Sequence, residues 1–338
     1  MEQIRTSKRG HICIYDCELS RLISHAVRLW VGITNNEWFR FLAAKGSLEE
    51  INFWRPTPQP YRQDFYPGMP FLFKLHAPEE FIVGGGFFLR FVPVPLSLAW
   101  AAFREANGAS TLEGFRRLIG KHLTNAPSKD PYIGCNILSE PFYFSRSHWI
   151  PSARYMRGPI VAGKGNFEEK QAQELWNEVK AILALNETVK TLGPATMNAI
   201  DKQRYGQPIL IAPRLGQGSF RTLVTTAYSY RCAITRERTL PVLQAAHIRP
   251  YAEGGMHELS NGLLLRSDLH TLFDQHYITV HPTKRTLIIS RRIREQFENG
   301  RDYYALHDRP LSQPADVLAL PSADNLAFHF ERFSELEG

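Results

Sequence analysis

A chain of 338 residues, 43% of them hydrophobic, holds enough apolar material for two packed domains, and its formal net charge of +7 favours an anionic partner. No apolar run approaches the ~18 residues a membrane span needs, and the charged N-terminus lacks the apolar centre of a signal peptide. Cys13, Cys17, Cys135 and Cys232 form no CxxC pair, so they read as structural or free thiols in a reducing cytoplasm rather than as a disulfide framework.

The first part, about 1–145, is rich in aromatics and reads mostly as strands. Leu29–Ile33 is a short apolar strand, and Thr34, Asn35 or Asn36 can cap a helix over 37–45 that Gly46 ends. Ile51–Trp54 reads as a strand stopped by Arg55-Pro56. Pro67-Gly68 signals a turn into Phe71–Leu75. Phe81–Val83 and Phe87–Val94 read as strands on either side of Gly84-Gly85-Gly86, a triplet that suits a bulge or a close approach of backbone to a partner. Helical spacing follows at 98–106 and 112–123.

The second part, about 146–205, is a connector. Its helix over 168–185 sets Ala172, Leu175, Trp176, Val179 and Leu183 along one side, behind a joint at Gly158, Gly163 and Gly165. The third part, about 206–338, carries the chemistry in the order strand, loop, strand, helix, then a hairpin pairing 277–281 with 286–290. Basic charge concentrates at its start, with eight Lys and Arg against two acids over 201–250. Such an excess suits a polyphosphate backbone.

The informative stretch runs from Leu243 to Asp274. It contains His247-Ile248-Arg249-Pro250, the pair Gly254-Gly255, Asn261 fourteen positions after His247, and His270 nine positions after that. This order closely resembles the HNH nuclease family: an apolar strand ending in His-Ile-x-Pro, a Gly-Gly loop, Asn before a second apolar strand, and a helix bearing the last His. The resemblance implies an α+β protein with a C-terminal ββα-metal domain that hydrolyses DNA phosphodiesters with one divalent metal ion. Mg or Mn is the first expectation, Ni or Co the alternative.

Such hydrolysis needs a base, a cation and rigid positioning. An imidazole is a suitable base near neutral pH, and His247 is that candidate. Asn261 either ties the loop back to orient His247 or approaches the metal. His270 is the leading metal ligand, with Asn261 and Asp268 beside it and Asp274 or His257 in reserve; Ser267 or Asp268 is expected to cap its helix. His247, Asn261 and His270 form the expected catalytic set. Many family members carry Asp or His before the first His as a metal ligand; here that position is Ala246, which leaves the ligand set open and admits a vestigial, non-cutting DNA-binding protein as a rival. With no paired CxxC, no structural zinc is expected. Cys232 reads as core, and His257 as a loop residue.

Upstream, Arg214-Leu-Gly-Gln217-Gly-Ser-Phe220-Arg221 resembles the segment that precedes HNH modules in modification-dependent restriction enzymes. Arg214, Gln217, Arg221 and Arg249 are the expected DNA contacts. Residues 29–95 resemble a barrel of the PUA superfamily, which includes EVE, ASCH and SRA modules. That resemblance implies a reader of double-stranded DNA that takes a modified base, with a 5-substituted cytosine as the first expectation, out of the stack. Trp38, Asn52, Trp54 and Arg55 are the expected pocket, with Trp30, Phe53, Tyr61 and Phe65 as further aromatics. Phosphorothioate or unmodified DNA is the alternative target, and two copies, as a homodimer, would turn nicks into a double-strand break.

Overall fold

The computed structural model describes residues 28–46, 48–61, 65–122, 129–156, 169–191 and 216–337. Cys13, Cys17 and Arg214 lie outside them, as do the glycines of the expected joint. The architecture is α+β, with a curled N-terminal sheet, helices on its faces and a C-terminal ββα region.

The sheet is built from β1 (Trp30–Thr34), β2 (Glu50–Arg55), β3 (Pro70–Leu75), β4 (Phe81–Pro95), β5 (Tyr132–Tyr143) and β6 (Ile150–Pro151) in the order β1-β3-β4-β5-β2, with β6 also pairing β4. Only β1 and β3 run parallel; the other pairs are antiparallel. Between β1 and β2 lies α1 (Asn36–Lys45). The Asn35 carboxamide caps it, accepting from the N–H groups of Glu37 at 2.8 Å and Trp38 at 3.3 Å, and Gly46 leaves it at φ +80°.

The sequence pattern breaks β4 into two strands at Gly84-Gly85-Gly86, but the chain forms one strand of 15 residues. A Cβ at Gly84 would collide with the Phe142 carbonyl oxygen on β5, and the β4–β5 register shifts between Gly85 and Phe87. The triplet is a tight bend within a strand, which lets the sheet curl. Strand β5 is absent from the hydrophobic pattern because Asn136, Ser139, Glu140 and Pro141 interrupt it; β2 and β4 hold it from both sides.

Aromatics fill the concave face: Trp30, Trp38, Phe53, Phe71, Phe73 and Phe88 form one core under α1. On the opposite face, α2 (Leu96–Phe103) and α3 (Leu112–Gly120) pack over Val92, Val94, Ile133 and Ile137. Connector helix α4 (Glu169–Thr191) covers a third cluster, burying Ala172, Leu175 and Val179 against Leu29, Val31, Leu72 and Ile150. The connector therefore contributes β6 and α4 to the barrel's packing. Among the described residues no helix is long and apolar enough to cross a membrane.

Helix α5 (Gln217–Ala227) lies between the two parts. Phe220 and Val224 belong to the C-terminal core, whereas Leu223 packs into the barrel-side core with α2. Beyond it, β7 (Leu243–His247) pairs antiparallel with β8 (Gly262–Arg266), opposing His247 to Gly262, and α6 (Ser267–Asp274) follows directly. The expected hairpin forms as β9 (Ile278–Val280) and β10 (Leu287–Ile289). A C-terminal helix, α7 (Ala323–Glu337), closes the core through Leu326, His329 and Phe333.

Candidate active site

The ββα unit gathers its polar residues at one end because β7 ends at His247 and α6 begins right after β8. The geometry opens a cavity of about 580 Å³ whose lining includes Gln217, Arg221, His247, His270 and Asp274. Its rim reaches solvent at Tyr251, which is 57% exposed. The sequence-predicted base and metal ligand thus face the same space from different elements.

His247 is half-buried. Its ring stacks on Phe220 with centroids 3.9 Å apart and planes 8° from parallel. Its Nε2 lies 2.8 Å from His257 Nδ1, so one proton is shared between the two rings. Burial, then the neighbouring His257 and His270, push the His247 pKa down to about 4. The ring is therefore neutral at pH 7 and able to accept a proton. Tyr251 stacks on the other side of His257, centroids 4.9 Å apart. The sequence reads His257 as a loop residue; it is in the loop, but folding brings its ring onto His247. Ten positions of separation conceal that contact.

Asn261 is 1% exposed. Its Oδ1 accepts from the Arg249 N–H at 2.9 Å, and its Nδ2 donates to the carbonyls of Arg249 and Met256, each at 2.9 Å. Both polar atoms are spent on backbone, so the metal-ligand role expected of Asn261 is corrected: it is the tie that holds the Gly254-Gly255 loop to the end of β7. A buried carboxamide with matched partners fixes one conformation.

His270 Nδ1 lies 2.7 Å from Gln244 Oε1. Since that oxygen only accepts, Nδ1 donates to it, and Nε2 is left facing Asp274 Oδ2 at 3.2 Å. Asp268 is also corrected as a ligand. Its two oxygens take a bidentate ion pair from Arg266, at 2.6 and 2.7 Å, and it does not line the cavity. Neither Ser267 nor Asp268 caps α6; Arg266 occupies the cap position without a side-chain bond. The carboxylate that joins His270 is Asp274, one helical turn on. Ala246 is fully buried and offers the site nothing.

Among the expected DNA contacts, Gln217 and Arg221 line the cavity. Arg221 donates only a long 3.4 Å bond to the Ala101 carbonyl, and no carboxylate among the described residues pairs with it. Burial, then neighbouring Arg104, lower its pKa. Arg249 points elsewhere: its guanidinium lies 4.4 Å over the Phe328 ring and its Nε donates to the Glu253 carbonyl at 2.8 Å, bracing the loop.

The four residues expected to form a base pocket do not converge. Trp38 is 2% exposed and wedged edge-on against Phe53 and Phe73 in the core. Asn52 is fully buried on the α2 side, donating to Asn107 Oδ1 at 2.9 Å, and Trp54 donates to the Asn107 carbonyl at 3.1 Å. Strand alternation sends Arg55 to the other face. There it lies 4.1 Å over Tyr61, which packs on Trp30 beside Phe65. On this side Arg55 Nε and Nη1, Trp30 Nε1 and Asn136 Oδ1 are buried with no hydrogen-bond partner among the described residues.

Residues 232–281, which hold His247, His257, Asn261, His270 and Asp274, match the family model described as HNH endonuclease. The matched HNH endonuclease stretch is 50 residues of the 338 and includes the whole ββα unit. No curated protein matches the chain. Solved structures similar to parts of it include a modification-dependent TagI restriction endonuclease, 20% identical over 40% of this chain and 44% of that one, TM-score 0.25. The chain thus spans under half of that enzyme's length. Two single-substitution variants of an ASCH protein from Zymomonas mobilis are each 12% identical, covering 44% and 45% of this chain and 96% of theirs, TM-score 0.30.

Proposed function

We propose that the protein is a DNA endonuclease in which His247 is the general base and the N-terminal barrel directs cutting to DNA carrying a modified cytosine. The observation that carries the nuclease chemistry is the shared cavity: a neutral imidazole and a His–Asp pair, on separate elements, open on the same space beside Arg221.

The chain's own residues account for most of the chemistry. In this reading the Nε2–H of His247 donates to His257 Nδ1, which leaves the His247 Nδ1 lone pair to take the proton from the attacking water. Phe220 and His257 hold the ring from two directions, which supplies the orientation such a step requires. Arg221 and Gln217 are placed to bind a phosphate next to His247.

Residues His270 and Asp274 fit a divalent cation. Their facing atoms are 3.2 Å apart, the spacing of adjacent ligands around a small hard ion, and Gln244 holds Nδ1 so that Nε2 is the nitrogen turned to Asp274. When bound there, Mg or Mn would neutralise charge on the scissile phosphate and the departing oxygen. Among the described residues no third His, Cys, Asp or Glu joins them, so water and phosphate would complete the shell.

Base reading rests on the sequence resemblance of residues 29–95 to the PUA superfamily and on the face that carries Trp30, Tyr61, Phe65 and Arg55. Aromatic rings beside unpartnered polar atoms suit a planar, hydrogen-bonding guest. The test incubates plasmid DNA with Mg²⁺ or Mn²⁺ and wild type, His247→Ala or Asp274→Asn. Both variants are expected to lose cutting by roughly 10²-fold or more. No cutting of any DNA by wild type would overturn the nuclease reading. Equal digestion of unmodified, methylated, hydroxymethylated and phosphorothioated DNA would overturn the modification dependence.

A further inference from the structure

The segment Gly216–Arg221 has Arg221 and Phe220 assigned to the cavity, but its two glycines and its serine play no part in that chemistry. They meet a residue from the other half of the molecule. Glu50, the first residue of β2, reaches over the N-terminus of α5. The Ser219 N–H donates to Glu50 Oε1 at 2.9 Å, and the Ser219 hydroxyl bonds Oε2. The backbone N–H groups of Gly216 and Gly218 also face this carboxylate. A Cβ at Gly216 would collide with the carboxylate, and one at Gly218 with Oε1 and with the Ala102 carbonyl. Glycine is therefore what lets the helix end close on Glu50.

Among the described residues no Lys or Arg pairs with Glu50. Burial pushes its pKa up, and the open N–H groups at the positive end of α5 work against that rise, across 169 residues of sequence. Ser219, held by that contact, is followed directly by Phe220, which is 1% exposed and stacked on His247. We infer that Glu50 of the barrel is a positioning residue for the nuclease centre: its carboxylate seats the first turn of α5 and so sets the Phe220 ring against His247. This rests on His247 being the base. It also makes the nuclease centre incomplete without the barrel.

The experiment uses the full-length protein with labelled histidines, free of metal and DNA. The His247 imidazole resonance, assigned by its loss in His247→Gln, carries the ring-current shift of Phe220, assigned with Phe220→Leu. Glu50→Ala and Ser219→Ala are each expected to move it towards its Phe220→Leu position, and Glu50→Gln, which keeps one acceptor oxygen, to recover part of the shift. On DNA with Mn²⁺, Glu50→Ala is expected to lower kcat about 10- to 100-fold with KM unchanged, the signature of a misplaced catalytic group. A His247 resonance and kcat at wild-type values in Glu50→Ala overturn the inference. Should that variant fail to fold, the resonance in Ser219→Ala decides in the same way. A resonance that moves as expected in a protein whose wild type cuts no DNA supports the positioning contact and overturns the nuclease reading instead.

Discussion

The two halves of the molecule differ in how many buried polar groups they leave unmatched: the C-terminal half has three such atoms among the described residues, on Tyr228, His276 and Arg292, and the barrel has more. In the ββα unit, Asn261 is sealed from solvent and both ends of its carboxamide are matched to backbone within 2.9 Å. In the barrel, Trp30 Nε1, Asn52 Oδ1, Arg55 Nε and Nη1, Asn136 Oδ1 and the Tyr143 hydroxyl are buried with no hydrogen-bond partner among the described residues. A buried polar atom left unmatched costs about 1–3 kcal/mol. The nuclease half spends its polar contacts on holding a fixed constellation of side chains. In the barrel, the unmatched atoms of Trp30, Arg55 and Asn136 lie on the face proposed above to read the base.

The largest effect expected from this contrast lies in the matched half. Asn261→Ala should lower unfolding free energy by about 3 kcal/mol, since three hydrogen bonds go and the Arg249 and Met256 backbone groups lose their partner. Urea denaturation measures it. A loss under about 1 kcal/mol would mean the loop is held by something else.

A second expected effect is the dependence on acidity. His247 and His329 both have folded pKa values below 6.5, at about 4 and about 3, with burial as the first cause in each. Their unfolded forms bind protons more readily than their folded forms. Their contribution is therefore fully present above pH 6.5 and is lost as pH falls from 6.5 towards 3. Denaturation midpoints across that window should decline steadily, and an NMR titration should place the His247 midpoint near 4. A midpoint near 6.5 would show that the Phe220–His257 enclosure is open in solution.

The smallest effect on stability, and the sharpest test of the contrast, belongs to the barrel. Trp30→Phe removes an unmatched indole N–H while keeping a ring, and should change unfolding free energy by no more than about 1 kcal/mol. Arg55→Met should likewise leave the fold intact. Both variants should still nick DNA, and both should lose the preference for the modified substrate in the digestion series. Retained preference in both would move the reading surface away from Trp30, Tyr61 and Arg55.

Much of the nuclease half was legible in the chain because its signals are local. β7, β8 and α6 occupy one continuous stretch, so spacing alone brought His247 and His270 to the same end. The Asn35 cap and the apolar runs of β1 to β3 were equally readable. Elsewhere the pattern misled for definable reasons: the Gly84–Gly86 triplet looks like a break but is a bend, and β5 exists because two neighbours pair with it rather than because its own residues alternate.

Sequence by itself determined the ββα order and the α+β class, and it singled out His247 and His270 as the pair at one end of that unit, because each depends on contacts among near neighbours. Only the tertiary structure decided that Asp274 rather than Asp268 joins His270, that His257 and Phe220 enclose His247, that Trp30 rather than Trp38 packs on the Tyr61 ring beneath Arg55, and that Glu50 meets α5. Those choices turn on which face of a strand or helix a residue occupies and on what packs against it from far along the chain. Spacing in a linear sequence carries no record of either.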